Sequence, residues 1–270
     1  MRALQFTAYG VAGVLEWGDA PDPHAGPGQV RIAVRAASVN PIDWKTLAGA
    51  LSGGQPLVGT GYLGYDAAGV VDEVGEGVTG VAAGDDVLDA ASTLRRSTPC
   101  WTSTPRPVTR CSLMAAPVAW GAIAVQTAVA RGARVIASSS EANHDYLREI
   151  GAIPVLYVDG VGGRVRTAAG GPVDAVFDVA GKTPVEELIS LAPEASQVVS
   201  IANYTAGEAG ARVTGAGADS SPMEALAQVA ELLAQNKLVI KVQTFPFARA
   251  AEAYRISQDG HVRGKLVLVP

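Results

Sequence analysis

The sequence predicts an α/β fold with two domains, one built on a doubly wound parallel sheet and the other rich in β structure. Three observations predict it. From Gly121 onward, short apolar strands alternate with helical stretches, the pattern of a parallel sheet covered on both faces. Both ends of the chain instead alternate apolar and polar residues between glycines, as strands with one wet face do. A chain of 270 residues at 48% hydrophobic content also has enough apolar mass for about two cores.

The elements follow in order. VRIAVRA, Val30–Ala36, keeps a period of two after the turn-forming HAGPG and predicts a half-buried strand. Gly64–Val87 predicts short strands broken at Gly75, Gly77, Gly80 and Gly84. AIAVQTAVARG, from Ala122, predicts an apolar helix, followed by the strand ARVIAS and a polar helix over Glu141–Ile150. IPVLYVD, VDAVFDVAG and SQVVSIAN then predict three more strands. A helix over Pro222–Asn236, the strand LVIKVQTF, a helix over Ala248–Ser257 and the strand KLVLV close the chain. The β-rich domain is therefore expected at 1–106 and 240–270, with 88–106 irregular, and the doubly wound domain at 107–239.

Composition excludes several functions. A net charge of −5 with interspersed signs offers no basic stripe for nucleic acid. No segment approaches the roughly 20 apolar residues of a membrane span, and MRALQFTAYG has no leader-like apolar run, so a cytoplasmic protein is expected. Cys100 and Cys111 form no CxxC pair, and His24, His144 and His261 are scattered, which argues against a zinc site.

NPIDWK (Asn40–Lys45), GYDAAGVVDEVG (Gly64–Gly75), GDDV (Gly84–Val87), VDAVFDVAG and HVRGKLVLVP (His261–Pro270) carry a resemblance. In this order they resemble the zinc-independent quinone oxidoreductase branch of the medium-chain dehydrogenase/reductase superfamily, over nearly the whole chain except Leu88–Trp120. The resemblance implies a GroES-like catalytic domain, a Rossmann domain, NADP(H), and hydride transfer to a quinone or an α,β-unsaturated carbonyl. It also implies a homodimer through the Rossmann sheet edge near Val198–Asn203. Zinc-dependent relatives place Cys near Asn40 and His and Glu near Tyr65 and Asp66, so the Lewis acid is missing here. An electrophilic conjugated carbon needs only a hydride donor and hydrogen-bond donors at the developing oxyanion. Lys45, Tyr65 and the Asn40 amide are the candidate donors, with Asp43 orienting its neighbours. On residue type alone, Asn40 is equally a turn cap, Asp43 a helix start and Lys45 a solvated side chain.

Cofactor residues come from the same strand-to-helix logic. A second-strand end of Ser138, Ser139 and Ser140, with Asn143 nearby and Glu141 only beyond the strand end, favours NADPH over NADH. These residues equally read as a serine-rich helix cap. Gly181 resembles the turn beside the nicotinamide, although a simple helix-starting turn has the same spacing. Lys265 either approaches the cofactor or is a solvated strand residue.

The phosphate loop is the exception. A pyrophosphate needs bare backbone N–H groups at a helix N-terminus, yet this junction reads MAAPVAWG. Only Gly121 is a glycine, Pro117 lacks an N–H and Trp120 adds bulk. Triplets taken from the last base of each codon and the first two of the next tell another story. The Met114–Ala115 and Trp120–Gly121 steps are obligatorily Gly, and over Arg106–Gly121 the shifted frame permits PGDTVL followed, two residues on, by GGAGGVG. That is the first strand and phosphate loop of the resembled family, and GAIAVQ continues its helix in frame. The segment is read as frame-shifted, with a deletion within Leu88–Arg106; chance agreement through free wobble bases is the alternative. The chain is thus expected to be a metal-free NADPH-dependent reductase of a small-molecule substrate, or else a non-catalytic remnant with impaired cofactor binding. A methyltransferase is disfavoured, because NPIDWK and GDDV have no place in that architecture.

Overall fold

The computed structural model describes residues 1–90, 110–114, 119–213, 229–260 and 262–270. The chain divides into two compact units, Met1–Thr93 with Val242–Pro270, and Leu94–Lys241. The boundary expected at 106/107 lies outside the described residues.

The first unit is β-rich, as its alternating texture predicts. A three-stranded antiparallel sheet joins β1 (Arg2–Phe6), β2 (Glu16–Asp19) and β4 (Gly61–Tyr62) in the order β2-β1-β4. These strands are short and only partly buried, so little in the local pattern marks them. A second sheet has the order β13-β14-β3-β5-β6. It combines β3 (Val30–Ser38), β5 (Asp66–Val74) and β6 (Asp86–Ala90) with β13 (Val242–Pro246) and β14 (Lys265–Val269), so both ends of the chain share one sheet. Gly75 closes the β3–β5 pair, since a Cβ there would lie 1.9 Å from the Gly26 carbonyl oxygen. Helix α7 (Ala250–Asp259) buries Ala250, Ala253 and Tyr254, an i, i+3, i+4 stripe, against Leu266 and Leu268 of β14.

The second unit holds a six-stranded parallel sheet in the order β12-β11-β10-β7-β8-β9. Its strands are β7 (Arg110–Met114), β8 (Arg134–Ser139), β9 (Ile153–Leu156), β10 (Ala175–Asp178), β11 (Val198–Ser200) and β12 (Arg212–Val213). The order reverses between β7 and β10, where doubly wound sheets open their ligand crevice. Alternate residues serve opposite cores. Val135, Ala137, Ala175 and Phe177 pack with α2 (Ala119–Ala130), while Ile136 and Val176 pack with α4 (Val161–Ala169) on the other face.

Several expectations change. The strand expected over Ile153–Asp159 ends at Leu156, where Arg164 bonds the carbonyls of Leu156 and Asp159 at 3.0 Å each and turns the chain away. Helix α4, with its Gly162–Gly163 pair, was not read from sequence. It forms because Val161, Val165 and Ala169 recur on one buried face, offsetting roughly 1 kcal/mol per glycine. The proposed dimer edge near Val198–Asn203 is corrected, because β11 lies inside the sheet with β12 paired outside it. Most of the helix expected at Pro222–Asn236 lies outside the described residues; 229–234 are helical.

The segment read as frame-shifted still fills a central strand. Residues Arg110–Met114 form β7, paired in parallel with β8 and β10, and Arg110 N donates to Asp174 Oδ2 at 2.7 Å. Backbone pairing does not depend on the side chains, but the interior registers them. Ser112 is fully buried and its hydroxyl has no hydrogen-bond partner. An unsatisfied buried hydroxyl costs about 1–3 kcal/mol, so Ser112→Ala is expected to raise stability by roughly 1 kcal/mol. A higher midpoint in thermal unfolding checks this, and a lower one contradicts it. The loop itself, 115–118, lies outside the described residues.

Candidate active site

Asn40, Asp43 and Lys265 meet in the first unit although 225 positions separate Lys265 from Asn40. The sheet brings them together. Strand β14 pairs antiparallel with β3, Val267 opposite Ser38, and Val39 N donates to Leu266 O at 3.0 Å, which delivers Lys265 to the end of β3. There helix α1 (Pro41–Leu47) starts, with Asn40 at its N-cap and Pro41 at its first position. Asn40 N donates to Asp43 Oδ2 at 2.7 Å, half of a capping box. The Asn40 side chain is engaged otherwise. Its Oδ1 accepts Lys265 Nζ, and its Nδ2 donates to Asp66 Oδ2 at 2.6 Å and to Ser38 Oγ at 3.2 Å. Ser38 Oγ donates to the same Asp66 oxygen at 2.5 Å.

This geometry corrects two expectations. The Asn40 amide, a candidate donor to a substrate oxyanion, is held at both ends by protein charges. Lys265 is no solvated strand residue; it is partly buried and bonded to Asn40. Asp43, which accepts from the Asn40 N–H, is itself fully buried. Burial pushes its carboxyl up to about 7; Asp66 adds to the rise, while the Asn40 N–H, Lys265 and Tyr254 oppose it. Burial draws the Lys265 ammonium down, against the pull of Asp66 and Asp43. Burial, then Asp43, raises the Tyr254 hydroxyl.

Tyr65 and Lys45 lie apart from these bonds. Tyr65 Oη sits 3.0 Å from Thr46 Oγ1, whose own proton is directed at the Ile42 carbonyl 2.9 Å away. Thr46 therefore accepts from Tyr65 when it donates to Ile42. Lys45 is exposed, its ammonium 5.8 Å from the Trp44 ring centroid.

In the second unit the sequence-selected residues fall at the carboxyl ends of the strands. Gly181 follows β10 at the reversal point with φ +65°, and a Cβ there would meet the Ala202 backbone at 3.0 Å. Both glycine properties are used: the left-handed turn and the close approach. Asp178 sets this turn. Fully buried, its Oδ1 accepts from Gly181 N at 2.9 Å and Ala180 N at 3.1 Å, and its Oδ2 from Ser200 Oγ at 2.7 Å. Ser200 Oγ in turn accepts from Asn203 N at 2.9 Å. Ser138 and Ser139, at the end of β8, are both buried, with Ser139 Oγ donating to the Ser140 carbonyl at 3.0 Å. The accessible polar atoms at this tip are on Ser140 and Asn143, whose Nδ2 donates to Ser140 Oγ at 3.1 Å. Gly121 lies buried inside the first turn of α2.

Sequence reasoning missed Ser38, Thr46, Tyr254, Asp178 and Ser200 as members of these clusters. Thr46 follows Asp43 by three, one helical face along α1, and an acid ending the apolar VFD strand was a signal for Asp178. Nothing local marks Tyr254.

Comparison with known proteins follows the same division. The model described as an alcohol dehydrogenase GroES-like domain matches residues 26–139, and that described as a zinc-binding dehydrogenase matches residues 155–268. A chloroplast envelope quinone oxidoreductase homolog of Arabidopsis thaliana is 26% identical over 324 aligned positions, spanning 100% of this chain and 98% of the relative. Since the chain has 270 residues, stretches of that relative have no counterpart here. The quinone oxidoreductase of Coxiella burnetii superposes with a TM-score of 0.81 at 28% identity, covering 100% of this chain and 99% of that one. The Escherichia coli quinone oxidoreductase complexed with NADPH superposes at 0.82 with 20% identity and full coverage of both, a likeness of fold.

Proposed function

The chain belongs to the medium-chain dehydrogenase/reductase superfamily and is quinone oxidoreductase-like; on that premise we propose an NADPH-dependent reductase of small quinones or α,β-unsaturated carbonyls that works without a metal. The observation carrying this reading is the donor set at Asn40, Tyr65 and Asp66. It does not fit zinc. The Asn40 amide is saturated by Lys265 and Asp66, the Tyr65 hydroxyl is tied to Thr46, and an ammonium already supplies the positive charge. Among the described residues no group of three His, Cys, Asp or Glu side chains could hold a metal ion.

NADPH, when bound, supplies the hydride. The Gly181 turn, the N-terminal turn of α2 with Gly121, and the Ser140–Asn143 tip of β8 are the groups that would hold it, the last receiving the 2′-phosphate. Tyr65 Oη is the hydrogen-bond donor we assign to the substrate oxygen: with substrate bound, Thr46 Oγ1 turns its own proton from the Ile42 carbonyl to Tyr65 Oη, which releases the phenol proton toward the substrate, and a water or Tyr65 itself returns the proton. No helix among the described residues is long and apolar enough to cross a membrane, and the interspersed acidic surface suits a cytoplasmic enzyme. A homodimer remains part of this reading.

The buried, unpaired Ser112 hydroxyl favours a second reading for the chain as it stands: its cofactor strand and loop are altered, and it binds NADPH weakly. One experiment separates the two. NADPH fluorescence is titrated against the chain, and NADPH oxidation with 1,4-benzoquinone and methyl vinyl ketone is followed with and without EDTA. Turnover that survives EDTA is expected once the loop is restored. No turnover above background in the restored chain overturns the enzyme reading, and loss with EDTA overturns its metal-free part.

A further inference from the structure

We propose that Lys265 is the positioning residue of the Asn40 cluster, a cation tethered to the C-terminal strand that sets which way the Asn40 amide faces and balances the two aspartates around it. The proposal deepens the reductase reading, but its central evidence does not depend on that reading. An amide can present either end to its surroundings, and only the charges around it decide. Here Lys265 Nζ donates to Asn40 Oδ1 while Asp66 Oδ2 accepts from Nδ2 at 2.6 Å, an orientation that reversal would turn into two repulsive contacts.

The balance of charge is as specific. Asp43 Oδ1 and Asp66 Oδ1 are both buried without hydrogen-bond partners. The groups facing Asp43 come from three elements: Asp66 at the start of β5, Tyr254 on α7, and Lys265 on β14. Lys265 is the only cation among them. Two carboxylates in a shielded pocket repel each other, and without an opposite charge one of them takes up a proton. Lys265 opposes that uptake. The β3–β14 ladder holds it in place, so the cation arrives with the closing strand of the fold and not from solution.

The test uses the full chain and three variants: Lys265→Met, which keeps the length and loses the charge, Lys265→Arg, and Asp43→Asn with Lys265→Met. Thermal midpoints are measured from about pH 5 to about pH 9. In the parent the midpoint falls as Asp43 ionises. In Lys265→Met this fall is expected to move up by at least about one pH unit, a tenfold change in proton affinity, and Lys265→Arg is expected to retain the parent profile. A Lys265→Met profile superimposable on the parent overturns the proposal, because a purely packing role would lower the midpoint without moving the pH dependence. Should Lys265→Met fail to fold, the double variant decides. Recovery of a cooperative transition when both charges are gone supports the counter-cation, and failure to recover overturns it.

Discussion

Replacing Arg106–Trp120 by PGDTVLVHGGAGGVG is expected to tighten NADPH binding by about 100-fold or more. The loop offers a proline without an N–H and, in the first turn of α2, a Trp120 that is 39% exposed. A diphosphate needs backbone amides that approach it without side chains in between. Charge-assisted hydrogen bonds contribute about 1.5–3 kcal/mol each, so two recovered amides supply roughly 3 kcal/mol, or two decades of affinity. Fluorescence titration or calorimetry of the two chains side by side measures it. Equal affinities would mean that MAAPVAWG cradles the phosphates as well as a glycine loop does, and the frame-shift reading would fall. The alignment with the Arabidopsis relative, 324 positions long against 270 residues here, points the same way, as does the polar Ser112 in a central buried strand.

Asp43→Asn should change how stability depends on pH. The Asp43 carboxyl is raised from 3.8 to about 7 in the folded chain. Between those values the native state keeps a proton that the unfolded chain releases. The resulting stabilisation is therefore complete below about pH 4 and is lost as pH rises through 7. One proton corresponds to about 1.4 kcal/mol per pH unit across that window. The difference in unfolding free energy between parent and variant is expected to fall by on the order of 4 kcal/mol from about pH 4 to about pH 8. Asparagine keeps an acceptor for the Asn40 N–H, so the helix start survives and the comparison isolates the charge. Urea unfolding at fixed pH gives the difference directly; a constant difference would show that Asp43 titrates as in the unfolded chain.

Both predictions come from places where local pattern and folded environment disagree. Ser138, Ser139, Ser140 and Asn143 read from sequence as one cofactor-facing tip, yet the covering elements on both faces of the sheet bury the first two and leave only Ser140 and Asn143 accessible. Lys45 sits within a motif and is nonetheless exposed over Trp44, because α1 turns its buried face, Asp43 and Leu47, the other way. Gly181, by contrast, was legible, since a left-handed turn against a neighbouring backbone admits little else.

By itself the sequence determined the two textures of the chain, the parallel sheet from Gly121 on, and the shared β-rich unit of the two ends. These are matters of periodicity and of which residues a turn admits, and both act over a few neighbouring positions. Only the tertiary structure decided that Lys265 answers Asn40, that Asp66 and Tyr254 face Asp43, and that Asp178 and Ser200 brace the Gly181 turn. Electrostatic partners are chosen by distance through space, and strand pairing set those distances across as many as 225 residues of chain.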